Sequence, residues 1–182
     1  YPLLFRAFDA VKAVEPRARL VLVGDGPRLS VYQRQRPDVI FTGFYTGLNL
    51  ARHYASGDLY LHASSTETFG NVITEALASG LAVSAFDYAA AHEFIRHEEN
   101  GLVAPVDDEA TFFANARRLI TDRPLRQRLR AAAPAAVHNR SWDAVIDGFA
   151  ADLTAAMHEI PAPPGSAPTL THPQTRPSAD RS

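Results

Sequence analysis

Short apolar runs alternate with amphipathic helical patterns along the chain, and this alternation is the strongest constraint on its fold. The strand-like runs lie at residues 20–23, 39–41, 59–61, 81–86 and 102–104. The helical patterns lie at residues 2–15, 28–36, 47–56, 71–79 and 90–97. Strands that alternate with helices usually pair in parallel and are covered by helices on both faces. The sequence therefore predicts an α/β fold with a Rossmann-like doubly wound parallel sheet.

The pattern becomes purely helical after about residue 107, which predicts a helical C-terminal extension. One apolar stripe is formed by Phe112, Phe113, Ala116, Leu119 and Ile120. Leu125 and Leu129 mark a further helix, and a last helix is expected at about residues 143–158 after Ser141 as its N-cap. Residues 160–182 are rich in Pro, Ser, Thr and Ala, so this tail is expected to be disordered. The predicted domain spans residues 1–159.

The chain begins at Tyr1, inside a helical pattern and without an initiator Met. We therefore expect it to be a piece of a longer polypeptide, in which the first strand of this domain precedes residue 1. A length of 182 residues is sufficient for one domain with a stable core.

Composition argues against several classes of function. The net charge is -2 with both signs mixed along the chain, so no basic stripe indicates a nucleic-acid partner. The sequence contains no cysteine, which excludes disulfides, thiolate catalysis and cysteine-based metal sites. No run approaches the roughly 20 apolar residues of a membrane span, and no signal-peptide pattern opens the chain. These features are consistent with a cytoplasmic location.

Three loops with small residues follow predicted strands, at residues 24–27, 42–44 and 64–70. In a doubly wound sheet, ligands bind beyond the carboxyl ends of the strands. We therefore expect the ligand site at the edge of the sheet where these three loops lie.

Two carboxylates belong to the third loop and the helix after it. Glu67 lies in the loop, and Glu75 shares one helical face with Asn71, away from the apolar residues. The backbone N–H groups that follow Gly70 attract phosphate or sugar hydroxyls, because unpaired donors and the helix dipole act in the same direction. A nucleotide diphosphate sugar supplies phosphates for the amides and hydroxyls for the carboxylates. The alternative is that both acids are solvated surface residues.

An ordered series of motifs over roughly residues 1–150 resembles one family. The series comprises the helix at 3–14, the segments at 20–27, 39–44 and 54–61, the pair Glu67 and Glu75 with 76–83 after it, and the segment at 99–105. With this series the chain resembles the carboxyl-terminal, donor-binding domain of retaining GT-B glycosyltransferases of group 1 (family 4). The resemblance implies a hexosyltransferase.

The resemblance also implies a role for each matching residue. Glu75 would bind the ribose hydroxyls of the donor, and Glu67 would be the catalytic carboxylate that contacts the transferred sugar. Backbone amides would hold the diphosphate and sugar hydroxyls at Phe69, Gly70, Asn71 and Val72. Gly43 and Phe44 would receive the base, and Gly24 would open the first loop that faces the donor.

Members of this family work without a metal, so the resemblance implies no cofactor beyond the nucleotide-sugar substrate. They stabilise the departing nucleoside diphosphate with a basic pair that would precede Tyr1, and electrostatic stabilisation of this kind is usually the largest catalytic term. Their amino-terminal domain binds the acceptor and would also precede residue 1. We therefore expect this chain to bind the donor but to be inactive alone.

One departure from the family pattern lies after the strand at 81–86. The family commonly has two glycines before an acid, whereas residues 89–92 here are Ala-Ala-Ala-His before Glu93, which disfavours close approach to the backbone. Residues 66–72 and 87–91 look most like those of bacterial mannosyltransferases that use GDP-mannose, but enzymes that use UDP-sugars share much of the pattern. The expected donor is therefore GDP-mannose or a UDP-hexose.

Other interpretations have less support. Residues 24–27 lack the third glycine and the later acid of a dinucleotide-binding fingerprint. No histidine pair has the spacing of metal ligands, although His62 ends a strand beside the expected site.

A basic run lies on the late helices at Arg117, Arg118, Arg123, Arg126, Arg128 and Arg130. It favours a solvated face over a phosphate site, although peripheral contact with the inner face of a membrane would use such a patch. A noncatalytic nucleotide-binding or regulatory module on the same fold is the main alternative function, and an epimerase-like relative is another.

Overall fold

The computed structural model describes residues 1–66, 68–138, 150, 151 and 154. The helices are α1 (Pro2–Lys12), α2 (Leu29–Gln35), α3 (Gly47–Ala55), α4 (Asn71–Ala78), α5 (Ala90–Phe94), α6 (Glu109–Thr121) and α7 (Arg123–Ala132). The strands are β1 (Val21–Val23), β2 (Ile40–Gly43), β3 (Leu59–His62), β4 (Ala82–Phe86) and β5 (Leu102–Ala104). A short 3-10 helix at Ala133–Ala136 follows α7. The predicted alternation of strands and helices is confirmed.

The described strand pairs are all parallel, which confirms the predicted α/β class. β1 pairs with β2, and β4 pairs with both β3 and β5. The strands form a two-stranded and a three-stranded sheet rather than one continuous sheet, since no described strand joins β1 to β3. In a doubly wound sheet of order 3-2-1-4-5-6, the first strand lies between the second and the fourth. The observed pairing fits this order when β1 to β5 are taken as its second to sixth strands. The position of the first strand before residue 1 stays a prediction.

β4 is the centre of the three-stranded sheet and is buried on both faces. Val83 and Ala85 pack in one cluster with Leu77 of α4. Ala82 packs in another cluster with Leu129 of α7. Because side chains of a strand point alternately to opposite faces, the two clusters lie on opposite sides of the sheet. Helices therefore cover both faces, as the doubly wound architecture requires.

α1 packs on two layers of the domain at once. Phe5 and Phe8 form a cluster with Tyr32 of α2 and with the residues of the two-stranded sheet. Ala7, on another face of α1, packs with Phe112 of α6. The helix that opens the chain is thus part of the core on both sides.

Two predicted helices end three residues earlier than the sequence pattern indicated. α5 stops at Phe94 rather than at residue 97, because the buried Asn100 side chain donates to the carbonyl oxygen of Phe94 at 2.9 Å and accepts from the N–H of Arg96 at 2.7 Å. A side chain that bonds to the backbone in this way competes with the helical hydrogen bonds. α1 ends at Lys12 rather than at residue 15.

The predicted disordered tail at 160–182 lies outside the described residues, and so does most of the last predicted helix at 143–158. Within that helix only Ala150, Ala151 and Thr154 are described, and all three are helical. The chain divides into two compact units, Tyr1–Arg140 and Ser141–Ser182. The domain boundary at residue 159 stays a prediction. In the part of the chain that the structure describes, no helix has the length and apolar content to cross a bilayer.

Candidate functional site

The first two of the predicted ligand loops meet beyond the carboxyl ends of β1 and β2. The N–H of Gly24 donates to the carbonyl oxygen of Gly43 at 2.8 Å. Both glycines have positive φ angles, +140° and +81°, and the space that a side chain would occupy at each is open. Residues with a Cβ rarely adopt such angles. Glycine therefore leaves the backbone accessible to a ligand at both loops.

A cavity of about 200 Å³ opens beside these loops. It is lined by the side chains of Leu22, Tyr32 and Phe41 and by residues 24–27. Arg28 also lines the cavity, with its guanidinium 5.6 Å from the centre of the Tyr32 ring. Arg28 therefore brings a positive charge to this edge. No sequence motif indicated this residue, although it directly follows the glycine-containing loop.

The start of α4 presents backbone donors. Gly70 is the N-cap, with φ 93° and ψ 49°, a left-handed conformation that glycine adopts without strain. The N–H of Ile73 bonds to the carbonyl oxygen of Gly70 at 2.9 Å, whereas the amides of Asn71 and Val72 have no acceptor among the described residues. Together with the helix dipole, these amides form a site for an anionic oxygen.

Glu75 lies one turn further along α4, is exposed, and shares a helical face with Asn71. Its Oε2 accepts a hydrogen bond from the hydroxyl of Tyr54 at 2.9 Å. Burial, with smaller contributions from Tyr60 and Glu75, raises the pKa of Tyr54 well above its usual range. The hydroxyl therefore stays protonated and remains a donor, which orients the carboxylate and leaves its second oxygen available to a ligand.

Tyr54 is a second residue that the sequence analysis did not assign to the site. It lies in α3, the helix that follows the loop of Gly43, and it is partly buried. The sequence shows it only as one member of an ordered motif, because its contact with Glu75 joins two different helices. A contact of that kind has no fixed sequence spacing that could have predicted it.

Replacing Tyr54 with phenylalanine is expected to weaken binding of the expected donor by about 0.5–1.5 kcal/mol, since the carboxylate of Glu75 loses its orienting partner. The dissociation constant for GDP-mannose, measured by calorimetry, would then rise by a factor of about 2 to 12. The same substitution in a Glu75→Gln background should have little further effect. An equal loss in both backgrounds would show that Tyr54 does not act through Glu75.

The loop between β4 and α5 has alanines where the family commonly has two glycines, and its backbone nevertheless adopts a shape that glycine favours. Ala89 has φ 49° and ψ −127°, in the region that side chains disfavour. The next amide, of Ala90, donates to the carbonyl oxygen of Phe69 at 2.9 Å. The Phe69 ring packs edge-on against Phe94 at 6.2 Å. This loop therefore supports the turn before α4, and its backbone is strained at Ala89.

Replacing Ala89 with glycine is expected to raise the free energy of unfolding by about 1 kcal/mol, because relief of about 1–3 kcal/mol of strain exceeds the entropic cost of glycine. Urea denaturation measures the change. A matched control is Ala114→Gly on the exposed side of α6, which should instead lose about 1 kcal/mol. Destabilisation by both substitutions would contradict the strain assigned to Ala89.

Large apolar side chains are exposed along the same edge of the fold. Phe44 is 71% exposed in the loop where the base of the donor is expected. Further exposed side chains follow the carboxyl ends of strands at Leu48, Phe69, Tyr88 and Val106. Apolar groups exposed together mark a surface that a ligand or a partner covers.

Other candidate residues have separate outcomes. Glu67 lies outside the described residues, so its catalytic role stays a prediction. His97 has a structural contact, because its Nδ1 accepts from the N–H of Val103 at 3.1 Å. His62 ends β3 and is partly buried. The described residues contain no group of three His, Cys, Asp or Glu side chains that could hold a metal ion.

Comparison with known proteins decides the family. Residues 1–122 match the family described as Glycosyl transferases group 1. The chain belongs to the group 1 glycosyltransferase family. A GDP-mannose-dependent alpha-mannosyltransferase from Mycobacterium tuberculosis is 38% identical over 135 residues, which cover 74% of this chain and 35% of that protein. The group 1 glycosyltransferase chain thus spans about a third of the length of this relative.

Solved structures confirm the fold of this group 1 chain. The C-terminal domain of a group 1 glycosyl transferase, LpcC from Francisella tularensis, has a TM-score of 0.65 and 26% identity, covering 76% of this chain and 77% of that domain. HepE from Anabaena in complex with UDP-glucose has a TM-score of 0.68 and 25% identity, covering 82% of this chain and 44% of the HepE chain. The neighbours are GT-B glycosyltransferases, as the sequence motifs predicted.

Proposed function

We propose that this group 1 chain binds a nucleotide diphosphate sugar at the carboxyl edge of its strands and is the donor half of a retaining hexosyltransferase. The observation that carries the proposal is the start of α4, where two amides without an acceptor among the described residues lie one turn from a carboxylate that Tyr54 holds in place. A simple anion would be repelled by Glu75, and a neutral sugar would not require the amides. A nucleotide sugar suits both groups.

Each described part of the site takes one part of the donor. The amides of Asn71 and Val72 bind the diphosphate, and the second carboxylate oxygen of Glu75 accepts hydrogen bonds from the ribose hydroxyls. The base lies at Gly43, where the exposed ring of Phe44 offers a face on which it stacks. The joined glycine loops permit the close approach that this arrangement needs.

GDP-mannose is the donor that we favour. A relative that is 38% identical is named a GDP-mannose-dependent alpha-mannosyltransferase. The HepE structure contains UDP-glucose, but its identity to this chain is only 25%. The nearer relative therefore has the greater weight.

We further propose that the complete protein carries out the transfer without a metal. Glu67 contacts the transferred sugar, while the acceptor-binding domain and the basic groups that stabilise the leaving diphosphate lie outside this chain. The chain alone binds the donor but does not transfer it. We propose a cytoplasmic location, with peripheral contact at the inner face of a membrane, and no nucleic-acid partner.

Calorimetric titration of the chain with GDP-mannose, UDP-glucose and UDP-N-acetylglucosamine tests the donor. We expect GDP-mannose to have the lowest dissociation constant. Tighter binding of a UDP-sugar would contradict the donor identity and leave the site intact. Binding of none of the three would contradict the site itself.

A noncatalytic nucleotide-binding module would give the same titration, so the complete polypeptide separates the two functions. An enzyme containing this chain should transfer mannose, or slowly hydrolyse GDP-mannose when no acceptor is present. The Glu67→Gln variant of that polypeptide should lose this turnover. Tight binding of the donor without turnover by the unsubstituted protein would favour the noncatalytic module.

A further inference from the structure

A second cleft, of about 550 Å³, is lined mostly by arginines. Its lining residues are Arg17, Asp58, Ile120, Arg123, Arg126, Gln127 and Arg130. The segment before β1, the start of β3, the end of α6 and the length of α7 all contribute, so the cleft is formed by the tertiary fold. Four guanidinium groups with one carboxylate give it an excess of positive charge.

The cleft is separate from the proposed donor site. Asp58 immediately precedes β3, whereas the loop that leads to Gly70 follows the carboxyl end of the same strand. Arg17 precedes β1, and Gly24 follows that strand directly. Because β1 and β3 have the donor loops at one end and these cleft residues at the other, a ligand in the cleft would not be the donor in its own site.

Two of the arginines are held in place by the backbone. Arg126 donates through Nη1 to the carbonyl oxygens of Leu119 and Ile120, at 2.8 Å in both cases. Arg130 donates through Nε to the carbonyl oxygen of Gly80 at 3.0 Å. A guanidinium has five N–H donors, so each keeps others for a ligand. Fixed guanidinium groups lose less freedom when they bind an anion.

Not all of the positive charge is balanced within the fold. Arg130 pairs with Asp58 at 3.0 Å, and Arg17 pairs with Glu15 at 3.1 Å. Arg123 and Arg126 have no carboxylate partner among the described residues, although Asp122, which caps α7, lies next to Arg123 in the chain. Like charges that line one cleft repel one another, and an anion bound between them lowers this repulsion. The cleft therefore favours an anionic ligand.

The remaining arginines of the basic run lie elsewhere. Arg118 pairs with Glu98, and Arg128 donates to the carbonyl oxygen of Glu98 at 3.5 Å. The fold thus separates Arg118 and Arg128, which contact Glu98, from Arg123, Arg126 and Arg130, which line the cleft.

We propose that the arginine cleft binds a phosphate group. The planar fork of a guanidinium matches phosphate oxygens, and arginine recognises phosphate through paired, charge-assisted hydrogen bonds. The volume of about 550 Å³ leaves room for more than inorganic phosphate, so the cleft also fits a phosphate that is part of a larger molecule. That molecule is either an anionic lipid or a soluble phosphorylated compound.

The test is a titration of the 15N-labelled chain with sodium pyrophosphate, followed on the arginine Nε–Hε signals and the amides of α7. We expect the signals of Arg123 and Arg130 to shift, and the affinity to fall about tenfold or more in an Arg17→Gln/Arg123→Gln variant. In the part of the chain that the structure describes, neither substituted side chain is bonded to the backbone of a neighbouring element. Arg34→Gln, an exposed arginine of α2, is the matched control and should leave the affinity unchanged.

Sedimentation with vesicles identifies the source of the phosphate. Binding to phosphatidylglycerol vesicles but not to phosphatidylcholine vesicles, lost in the double variant, would assign a lipid headgroup. Pyrophosphate binding without vesicle binding would assign a soluble phosphorylated compound. Shifts confined to Gly70, Asn71 and Val72, or an equal loss of affinity in Arg34→Gln, would overturn the proposal.

Discussion

Replacing Glu75 with alanine is expected to raise the dissociation constant of the chain for GDP-mannose by about 5- to 150-fold, which corresponds to about 1–3 kcal/mol. The loss follows because a carboxylate that accepts two ribose hydroxyls makes charge-assisted hydrogen bonds. Calorimetry of the two proteins at equal ionic strength measures it. The hydroxyl of Tyr54 also loses its acceptor, but it can turn to water at the exposed rim.

The matched control for this prediction is Glu99→Ala. Glu99 is an exposed glutamate in the turn before β5, and its side chain makes no hydrogen bond or ion pair among the described residues. Its removal should leave donor affinity unchanged. Unaltered binding in Glu75→Ala, or equal weakening in both variants, would remove Glu75 from the site.

Replacing Arg36 with methionine is expected to lower the free energy of unfolding by about 2–4 kcal/mol, the largest effect on stability that we predict. Arg36 is 15% exposed and bonds to Asp9 at 2.7 Å and to Asp38 at 2.9 Å. Its guanidinium also lies 5.0 Å from the ring of Phe5 and 5.7 Å from that of Phe8. Methionine keeps much of the apolar packing but leaves both carboxylates without this partner.

Urea denaturation of the two proteins tests the role of Arg36. Arg34→Met, in the exposed last turn of α2, is the control and should change stability by less than about 0.5 kcal/mol. Similar effects of the two substitutions would show that the network around Arg36 adds nothing.

The same network predicts a dependence of stability on pH. Hydrogen bonding to Arg36, with a smaller contribution from Lys12, holds the pKa of Asp38 well below its usual range. A carboxyl group with a depressed pKa in the folded state stabilises the fold above its unfolded pKa of about 3.9 and loses this contribution as the pH falls. The free energy of unfolding should therefore fall more steeply below about pH 5 in the unsubstituted protein than in Arg36→Met.

The order of strands and helices could be predicted from the sequence because hydrophobic periodicity is a local property. The turn at Gly70 and the exposed face of Glu75 could be predicted for the same reason. The end of α5 could not, since it depends on Asn100, which lies six residues beyond Phe94. Periodicity within a helix does not show a competing side chain outside it.

Contacts between distant segments were the least predictable. The bond from Tyr54 to Glu75 joins two helices, and the arginine cleft combines residues as distant as Arg17 and Arg130. The break between the two sheets also could not be read from five similar apolar runs, because pairing depends on which strands are neighbours in space. Each of these features arises only when the chain is packed.

Hydrogen–deuterium exchange of the chain with and without GDP-mannose tests whether the start of α4 binds the donor. The amides of Asn71 and Val72 have no acceptor among the described residues, so they should exchange rapidly until a diphosphate accepts their hydrogen bonds. We predict slower exchange at residues 68–75 and in the loops at 24–27 and 42–48, and weaker protection in Glu75→Ala at a donor concentration close to the dissociation constant of the unsubstituted chain. Protection elsewhere in the chain, with residues 68–75 unchanged, would contradict the proposed site.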